Sequence, residues 1–410
     1  MPRMAYLLSR YPAVSHTFFL HEVLGLRSLG VEIETASINQ PDRPVAALPN
    51  AEAAEATTTW YVKGGSTFGA AVRVLRIALV QPAVVLRGLR AVRQMDGLTR
   101  RKQAMWLAYL AEALLVGDWM RRKHLGHLHV HFGGPVASVG MLTSIAWGVP
   151  YSLTIHGPEE LLDVNAFHLR EKLMQARFVV CISDFARSQL MHRLPPSEWG
   201  KLHVVRLGVT DELLQAHGDR AVNDVLHVVC VGRLVPEKGQ RLLLQAAREL
   251  LGEGIALRVT LVGSGPELAS LNEFVQRHGL QQAVTMTGAL SHAETQSVLQ
   301  TADIFALPSF AEGVPVALME AMAFEIPCVS TTIAGIGELI RSGVDGLLVP
   351  ASNVDALTDA LRTLCMDAVL RRRMGASARA QVTMHYRLAQ NHLQLAALFR
   401  ANVATQVSAA

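Results

Sequence analysis

The feature that most constrains the fold is an alternation that runs along the whole chain of 410 residues. Short apolar runs rich in β-branched residues are separated by helix-length segments. Continuous apolar runs of this length are typical of strands buried on both faces of a parallel sheet. Strand–helix–strand repetition also favours right-handed crossovers, so the sequence predicts an α/β protein with doubly wound, Rossmann-like sheets.

Twelve strands are predicted in this way. The first half contains Met4–Leu8, Val31–Ile38, Leu128–Phe132, Tyr151–His156, Phe178–Ile182 and Leu202–Arg206. The second half contains Leu226–Gly232, Leu257–Gly263, Val284–Gly288, Ile304–Leu307, Cys328–Thr331 and Gly346–Val349.

Chain length and the position of a polar segment predict two domains. The polar stretch 211–224 is interpreted as a linker between an acceptor-side domain, 1–210, and a second domain, 225–385. The last segment, 386–410, contains a predicted helix for which packing on either domain is open, with the first domain as one candidate. Two doubly wound domains in tandem predict an interdomain cleft at the carboxyl ends of their strands, where ligands bind. The small-residue run 46–59 is predicted to be a mobile surface loop.

Composition narrows the functional classes. Half of the residues are hydrophobic and 18% are charged, as in a globular protein. The four cysteines are scattered without metal-ligand spacing, and no apolar run approaches about 18 residues. We therefore expect a soluble cytoplasmic protein without a structural metal. Residues 1–210 carry 23 Lys and Arg against 15 Asp and Glu, whereas 211–410 carry 15 against 19. The basic first half indicates a negatively charged partner on that side.

Two glutamates, Glu312 and Glu320, follow the predicted strand Ile304–Leu307. Glu312 is placed in the loop after the strand and Glu320 on the next helix. Eight residues of helical rise span roughly 12 Å, similar to the distance between the hexose and the ribose of a nucleotide sugar. Carboxylates accept strong hydrogen bonds from vicinal hydroxyls, and the amides of Val314 and Val316 would point at a diphosphate. The alternative is a solvated helix residue and a loop charge.

Two cations follow the first strand of the same half. Arg233 and Lys238 lie in the turn GRLVPEKG, where they suit the growing charge of a diphosphate leaving group. An exposed basic turn is the alternative. The tight loop Gly263–Pro266 follows the next strand and is either a simple connector or a place where backbone approaches a nucleotide.

The order GRLVPEKG, LVGSGPE, LPSFAEGVPVALMEAMA and GVDGLLV resembles the retaining glycosyltransferases of the GT-B fold, family 4, over most of 225–355. The resemblance implies that Glu312 binds and helps to transfer the donor sugar, that Glu320 binds the ribose, and that Arg233 and Lys238 neutralise the diphosphate. It implies base contacts at Gly288 and Leu290 and no obligatory metal or other cofactor. The remaining donor-site residues that it implies are Gly232, Gly313, Val314 and Val316.

In the first half, a histidine and a glycine end the strand Tyr151–His156. In the resembling family this histidine approaches the transferred sugar, so His156 is the predicted catalytic residue here; a satisfied strand cap is the alternative. The segment YPAVSHTF replaces a glycine pair that is common in the family and resembles its exopolysaccharide-type members. Ser15, His16 and Thr17 of this segment are predicted to line the acceptor side of the cleft. The histidines 127, 129 and 131 share one strand face, and we expect them to line the cleft or pack internally, with a metal site as the weaker alternative.

The segment 71–102 carries eight basic residues and one acid among many aliphatic ones. This pattern is typical of a helix that lies on an anionic membrane surface, and a helical pair with solvated arginines is the alternative. Together the motifs predict transfer of a hexose-type sugar from a nucleoside-diphosphate sugar to a hydroxyl of a glycan or lipid-linked acceptor. Alternatives are a nucleotide-sugar epimerase on the same scaffold and a non-catalytic nucleotide-sugar-binding protein at the membrane. No nucleic-acid partner is expected.

Overall fold

The structure is a computed structural model that describes residues 3–13, 17–95, 99–157, 160–161, 168–215 and 225–403. Contacts between Cα atoms divide the chain into two compact units. The first unit comprises Met1–Ile182, Ala186–Val205 and His392–Ala410. The second comprises Ser183–Phe185 and Arg206–Asn391.

The first unit is built on a seven-stranded parallel sheet. Its strands are β1 Arg3–Arg10, β2 Glu32–Asn39, β3 Trp60–Tyr61, β4 His127–His131, β5 Tyr151–Ile155, β6 Phe178–Cys181 and β7 Leu202–Val204. The strand order is β3-β2-β1-β4-β5-β6-β7, so the direction of winding reverses between β1 and β4. Ligands of doubly wound sheets bind outside the carboxyl ends of the strands at such a reversal.

Helices cover this sheet. They are α1 Thr17–Ser28, α2 Asn50–Thr58, α3 Thr67–Val80, α4 Pro82–Arg93, α5 Arg100–Arg122, α6 Pro135–Trp147, α7 Leu169–Gln175 and α8 Asp184–Met191. The strands β4, β5 and β6 are buried along their whole length. Their fully apolar positions pack on α5 and α6 in one large cluster that includes Leu128, Leu153 and Val116.

The second unit repeats the pattern with six parallel strands. They are β8 Leu226–Val231, β9 Leu257–Val262, β10 Val284–Gly288, β11 Ile304–Leu307, β12 Cys328–Thr331 and β13 Gly346–Val349. Their order, β10-β9-β8-β11-β12-β13, places the reversal between β8 and β11. The helices are α9 Asp211–Gln215, α10 Gln240–Gly252, α11 Leu268–Arg277, α12 His292–Gln300, α13 Val316–Ala323, α14 Ile336–Leu339, α15 Val354–Met366, α16 Ala368–His385 and α17 Leu388–Val403.

The predicted fold class is confirmed, since both sheets are parallel and doubly wound and all twelve predicted strands are present. The predicted mobile loop 46–59 is wrong, because residues 50–58 form α2. Its glutamates explain why it is ordered: Glu52 pairs with Arg43, and Glu55 pairs with Arg27.

The ends of the proposed domains carry further structure. The proposed linker begins with the helix α9, and its remainder, 216–224, lies outside the described residues. The last helix, α17, begins in the second unit and continues in the first. There Leu395, Ala396 and Phe399 pack against Met4 and Tyr6 of β1.

Within the described residues, no single helix is long and apolar enough to cross a membrane. The pair α3 and α4 meets the limits of length and composition only as two helices joined by a bend of 106°.

Candidate functional site

The loops after β8 and β11 flank the point where the second sheet reverses its winding. The turn after β8 closes on the loop after β11: the Phe310 N–H donates to the Glu237 carbonyl oxygen over 2.7 Å. Gly239 has φ of +64°, and a Cβ there would lie 2.2 Å from the Pro308 carbonyl oxygen. Only glycine fits both the conformation and the space, so the GRLVPEKG turn is fixed against its neighbour by backbone contact.

The loop after β9 is held just as closely. The Gly263 N–H donates to the Gly288 carbonyl oxygen at 2.9 Å, and Leu234 N–H donates to the Ser264 carbonyl oxygen at 2.9 Å. A Cβ at Gly263 would meet the Gly232 carbonyl oxygen at 2.0 Å. Backbone therefore approaches backbone closely here, between loops of the protein, and the approach of this loop to a nucleotide stays a prediction.

The centre of the site is a partly buried ion pair between two of the predicted residues. Lys238 Nζ donates to Glu312 Oε1 over 2.6 Å, and the buried Ser309 hydroxyl donates to the same oxygen over 2.7 Å. Ser309 is itself fixed by Thr331, whose hydroxyl donates to the Ser309 carbonyl oxygen. Among the described residues, none donates to Glu312 Oε2, so that oxygen is the one available to accept from a ligand.

The helix α13 begins at Val316, four residues after Glu312. Pro315 is its N-cap, and the first helical hydrogen bonds run from the Leu318 and Met319 amides to the Pro315 carbonyl oxygen. The amides of Val316 and Ala317 therefore belong to the first turn, where N–H groups lack helical partners and attract anions. Gly313 and Val314 precede the helix, where Gly335 donates to the Gly313 carbonyl oxygen.

This helix start changes the estimated distance between the two glutamates. The value of roughly 12 Å assumed helical rise over eight residues, but only Val316 to Glu320 is helical, which accounts for about 6 Å. The remainder is loop, so the estimate from helical rise is wrong.

Glu320 lies inside the second unit with only 8% of its surface exposed. Burial raises its pKa to about 7 because the charged form loses hydration. His292, the first residue of α12, places Nδ1 3.6 Å from Glu320 Oε1, and burial lowers the pKa of His292. A buried carboxyl with a raised pKa is a frequent mark of a functional position.

Three other predicted residues lie around this centre without joining it. The side chain of Arg233 is exposed and, among the described residues, makes no hydrogen bond or ion pair. Gly288 ends β10 with φ of +73°. Leu290 is half-buried and lies one residue before Ser291, which caps α12 with a capping box.

The corresponding edge of the first unit is a buried array of histidines and hydroxyls between β4 and β5. The Ser152 hydroxyl lies 2.8 Å from His127 Nε2 and 2.7 Å from His129 Nδ1, and the Thr154 hydroxyl lies 2.9 Å from His129 Nε2. Burial lowers the pKa of His127 to about 3 and that of His129 well below its usual range. The predicted shared face is confirmed, and these histidines pack internally.

The predicted catalytic histidine belongs to this array. His156 Nε2 lies 2.9 Å from His131 Nδ1, and His131 Nε2 lies 3.1 Å from Glu22 Oε1. Tyr6 donates its hydroxyl to Glu22 at 2.8 Å. Burial alone would raise the pKa of the Glu22 carboxyl, but the neighbouring His131 and the bonds from His131 and Tyr6 lower it. A chain Glu22–His131–His156 therefore orients the His156 ring, which also packs on Phe132.

The same residues offer one cluster that resembles a metal site. Single ligand atoms of Glu22, His129 and His131 lie within 4.8 Å of one another. Both ring nitrogens of His129, however, are already within hydrogen-bond distance of Ser152 and Thr154. A metal would have to displace one of these hydroxyls, so the donor set fits a hydrogen-bonded network better than an ion.

The backbone around His156 is fixed by a buried carboxylate. Glu160 accepts from the amides of His156 at 3.0 Å and Gly157 at 3.1 Å, and also from Gly133. Lys172 donates to the carbonyl oxygens of Gly133 and Gly134. Burial raises the pKa of Glu160 and lowers that of Lys172. The two strand-end loops are thus joined to each other.

The sequence alone did not identify Glu22, Glu160 or Lys172 as site residues. Only Glu22 gave a signal, as a single acid within the apolar run TFFLHEVLGL. Of the predicted acceptor-side residues, Thr17 begins α1 and is half-buried, whereas Ser15 and His16 lie outside the described residues.

Comparison with known proteins agrees with this architecture. The model of the family "Glycosyl transferases group 1" matches residues 219–381. The putative colanic acid biosynthesis glycosyltransferase WcaL of Escherichia coli is 27% identical over 370 residues, covering 88% of this chain and 89% of that protein. A GDP-mannose-dependent phosphatidylinositol monomannoside mannosyltransferase of Mycobacterium tuberculosis is 31% identical over 278 residues, covering 63% and 72%.

A solved structure shows the same fold over nearly the full length. The Anabaena protein HepE in complex with UDP superposes with a TM-score of 0.74 at 16% identity, covering 97% of this chain and all of that one. The chain therefore belongs to the group 1 glycosyltransferases, and its two Rossmann-like units have the GT-B fold.

Proposed function

We propose that this glycosyltransferase moves a hexose-type sugar, with retention at the anomeric carbon, from a nucleoside-diphosphate sugar to a hydroxyl of a glycan or lipid-linked acceptor in exopolysaccharide synthesis. The observation that carries the proposal is the contact of Lys238 and Ser309 with a single oxygen of the buried carboxylate of Glu312. It lies at the winding reversal of the second sheet, next to the first turn of α13.

The two charges of this contact have separate roles. Lys238, the nearby exposed Arg233 and the first-turn amides of α13 stabilise the negative charge that develops on the departing diphosphate. Glu312 Oε2 accepts hydrogen bonds from donor-sugar hydroxyls, while Oε1 is held by Lys238 and Ser309. Glu320, whose pKa burial raises, binds the ribose hydroxyls, and hydrogen bonds donated by those hydroxyls favour its charged form.

The reaction exchanges one bond for another on the same face of the sugar. The bond between the anomeric carbon and the phosphate oxygen breaks, and the acceptor oxygen forms a new bond to that carbon. The acceptor proton passes to the leaving phosphate, so no enzymatic nucleophile is needed and the protein contributes orientation and electrostatic stabilisation. His156 donates a hydrogen bond to the transferred sugar. No metal or other cofactor takes part in this scheme. We assign the enzyme to family 4 because of the order of its motifs, from GRLVPEKG to GVDGLLV.

The relatives support a nucleotide-sugar donor and a glycan acceptor. HepE binds UDP, and the mycobacterial relative is named as GDP-mannose-dependent. The name of WcaL refers to colanic acid biosynthesis. Membership of a transferase family also disfavours the epimerase and the non-catalytic scaffold. We place the enzyme in the cytoplasm and, because of the basic segment 71–102, at the surface of an anionic membrane.

A thermal-shift screen of UDP-, GDP- and ADP-sugars tests the donor site, because a ligand that binds only the folded state raises Tm. One nucleotide class should stabilise the wild type and the control variant Glu237→Gln, whose exposed side chain lies in the same turn as Lys238. Glu312→Ala should lose either the rise in Tm on adding the nucleotide sugar or the transfer of the sugar to the acceptor. Proton NMR of the product should show the anomeric configuration of the donor; inversion, or conversion of donor without acceptor, contradicts the proposal.

A further inference from the structure

The helix α3 exposes an apolar stripe on the side that faces away from the first unit. Phe68, Val72, Leu75 and Leu79 are 78%, 48%, 60% and 75% exposed. Their spacing of four, three and four residues places them on a single helix face. Isolated exposed apolar residues are ordinary, but a continuous stripe of four large ones marks an interaction surface.

The opposite face of α3 is apolar as well. Ile77 is buried in the main hydrophobic cluster of the first unit, and Ala70 and Val74 pack against that cluster. A helix with apolar residues on two opposite faces is normally enclosed on both of them. Here one side is enclosed by the protein and the other is uncovered, so the stripe is not needed for the packing of the first unit.

Positive charge surrounds the stripe. Arg76 is exposed beside it on α3, and Leu86, Arg90 and Arg93 lie exposed together on one face of α4. Neither these three arginines nor Arg73 makes an ion pair with any described residue, whereas five other arginines of the first unit do: Arg3, Arg27, Arg43, Arg121 and Arg122. Apolar side chains flanked by unpaired arginines are complementary to the acyl chains and phosphates of an anionic lipid surface.

We propose that α3 and α4 form an in-plane docking surface for an anionic membrane, with the stripe of Phe68, Val72, Leu75 and Leu79 buried at the level of the lipid headgroups. Crossing the membrane is incompatible with the packing of these helices. Ile77 of α3 and Val84 and Ala91 of α4 belong to the core of the first unit, and a spanning arrangement would remove them from it.

The inference gives structural form to the proposed membrane association and rests on that part of the proposed function, not on the transfer chemistry. It is therefore tested with the full chain and without donor or acceptor. Flotation is measured with vesicles of phosphatidylcholine alone and of phosphatidylcholine and phosphatidylglycerol at about 7:3. The wild type should bind the anionic vesicles and bind them less as salt rises, since screening weakens the contribution of the arginines.

Two double variants separate the contributions. Leu75→Gln with Leu79→Gln should lower partitioning about tenfold or more at every salt concentration, because leucine burial does not depend on salt. Arg76→Gln with Arg90→Gln should lower it about twenty-five-fold at low salt, at about fivefold for each arginine, and much less at high salt. Met384→Gln, which changes a 67% exposed residue of the second unit, is the matched control and should bind like the wild type. Unchanged circular dichroism and Tm would show that each variant is folded.

A depth measurement tests the orientation. All four native cysteines are buried, so Leu79→Cys can be labelled selectively with an environment-sensitive fluorophore. Quenching by lipids spin-labelled near the headgroup, and not by those labelled near the chain end, is expected for in-plane binding. Quenching by chain-end labels would overturn it.

Three other results would overturn the proposal. The first is a wild type that binds neither vesicle type, which would also remove the proposed membrane association. The second is a Leu75→Gln, Leu79→Gln variant that binds like the wild type, which would leave membrane association in place but assign it to another surface. The third is a dimer, detected by light scattering, that this variant abolishes without vesicle binding, which would make the stripe an interface between copies of the chain.

Discussion

Both units have a doubly wound parallel sheet, but different kinds of side chain lie at the point where each sheet reverses its winding. In the second unit the reversal holds a charged pair, Lys238 and Glu312, in loops fixed by glycine contacts. In the first unit it holds buried histidines bonded to hydroxyls, with Glu22 as a buried carboxylate beneath them. The second unit presents a charged pair, whereas the first unit holds a buried network of histidines, hydroxyls and a carboxylate around the His156 ring. The same fold therefore supports two kinds of site.

The largest expected effect is on the charged pair. Glu312→Gln removes the charge that anchors Lys238 and weakens acceptance from the sugar hydroxyls. Loss of one such electrostatic contact lowers kcat by about 10²–10³, so transfer should fall by at least this much. Initial rates with saturating donor provide the measurement, and Glu237→Gln should retain wild-type rates.

The pair can also be tested from its other side. Lys238→Met should reduce transfer to a similar extent, and the double variant should lose much less than the product of the two single losses, because the two residues act through one contact. Independent, multiplicative losses would show that they are not a functional unit.

A smaller effect is expected in the first unit, and on stability. Glu22→Gln leaves His131 without its carboxylate partner inside the protein, which should reduce the free energy of unfolding by about 1–3 kcal/mol. Urea denaturation measures the loss. Donor affinity, measured by titration with the nucleotide sugar, should remain that of the wild type, and an equal loss of donor affinity would contradict the distinction between the two regions.

The smallest effect concerns the pH dependence of donor binding. The pKa of Glu320 is raised to about 7, so the carboxyl is largely charged at pH 8 and about nine-tenths protonated at pH 6. If the carboxylate accepts the ribose hydroxyls, the Kd of the donor should rise by up to about tenfold when the pH is lowered from 8 to 6. Glu320→Gln should abolish that dependence, and titration calorimetry at the two pH values decides the question.

Ionisation of Glu320 should have the opposite effect on stability: it favours donor binding but lowers the free energy of unfolding. Because its pKa is raised in the folded state, Glu320 destabilises the fold as pH rises from about 4.5 to 7, by up to about 3 kcal/mol. Glu320→Gln should therefore be more stable than the wild type at pH 8 while binding the donor less well. A variant less stable at pH 8 would show that the carboxylate is stabilised by partners and not merely buried.

What the sequence could predict depended on how far apart the interacting residues are along the chain. The strands were recoverable because each is a local apolar run, and β3 was missed because it has only two residues, Trp60–Tyr61. Glu312 and Lys238 were identifiable because each lies in a distinctive local motif at a strand end. Their direct contact, over 74 residues of separation, was not predictable from spacing.

The network of the first unit was harder to predict from the sequence, and the reason is physical. Glu22, His131 and His156 come from α1, β4 and the end of β5, and none of them lies in a motif that requires the other two. The helix α2 was missed because its many small residues suggested a mobile loop, and the arginine partners of Glu52 and Glu55 lie outside it, 9 and 28 residues away. Pairings that exist only after folding leave little trace in composition.

The backbone contacts at Gly239 and Gly263 limit how this enzyme can be redesigned. Since each glycine abuts a carbonyl oxygen of a different loop, a segment transplanted from a relative with another donor preference would fit only if its neighbouring loops were exchanged with it. Single-residue libraries aimed at a new sugar nucleotide are better directed at Ala289, Leu290 and His292, where side chains are partly or fully accessible and can vary without displacing main chain.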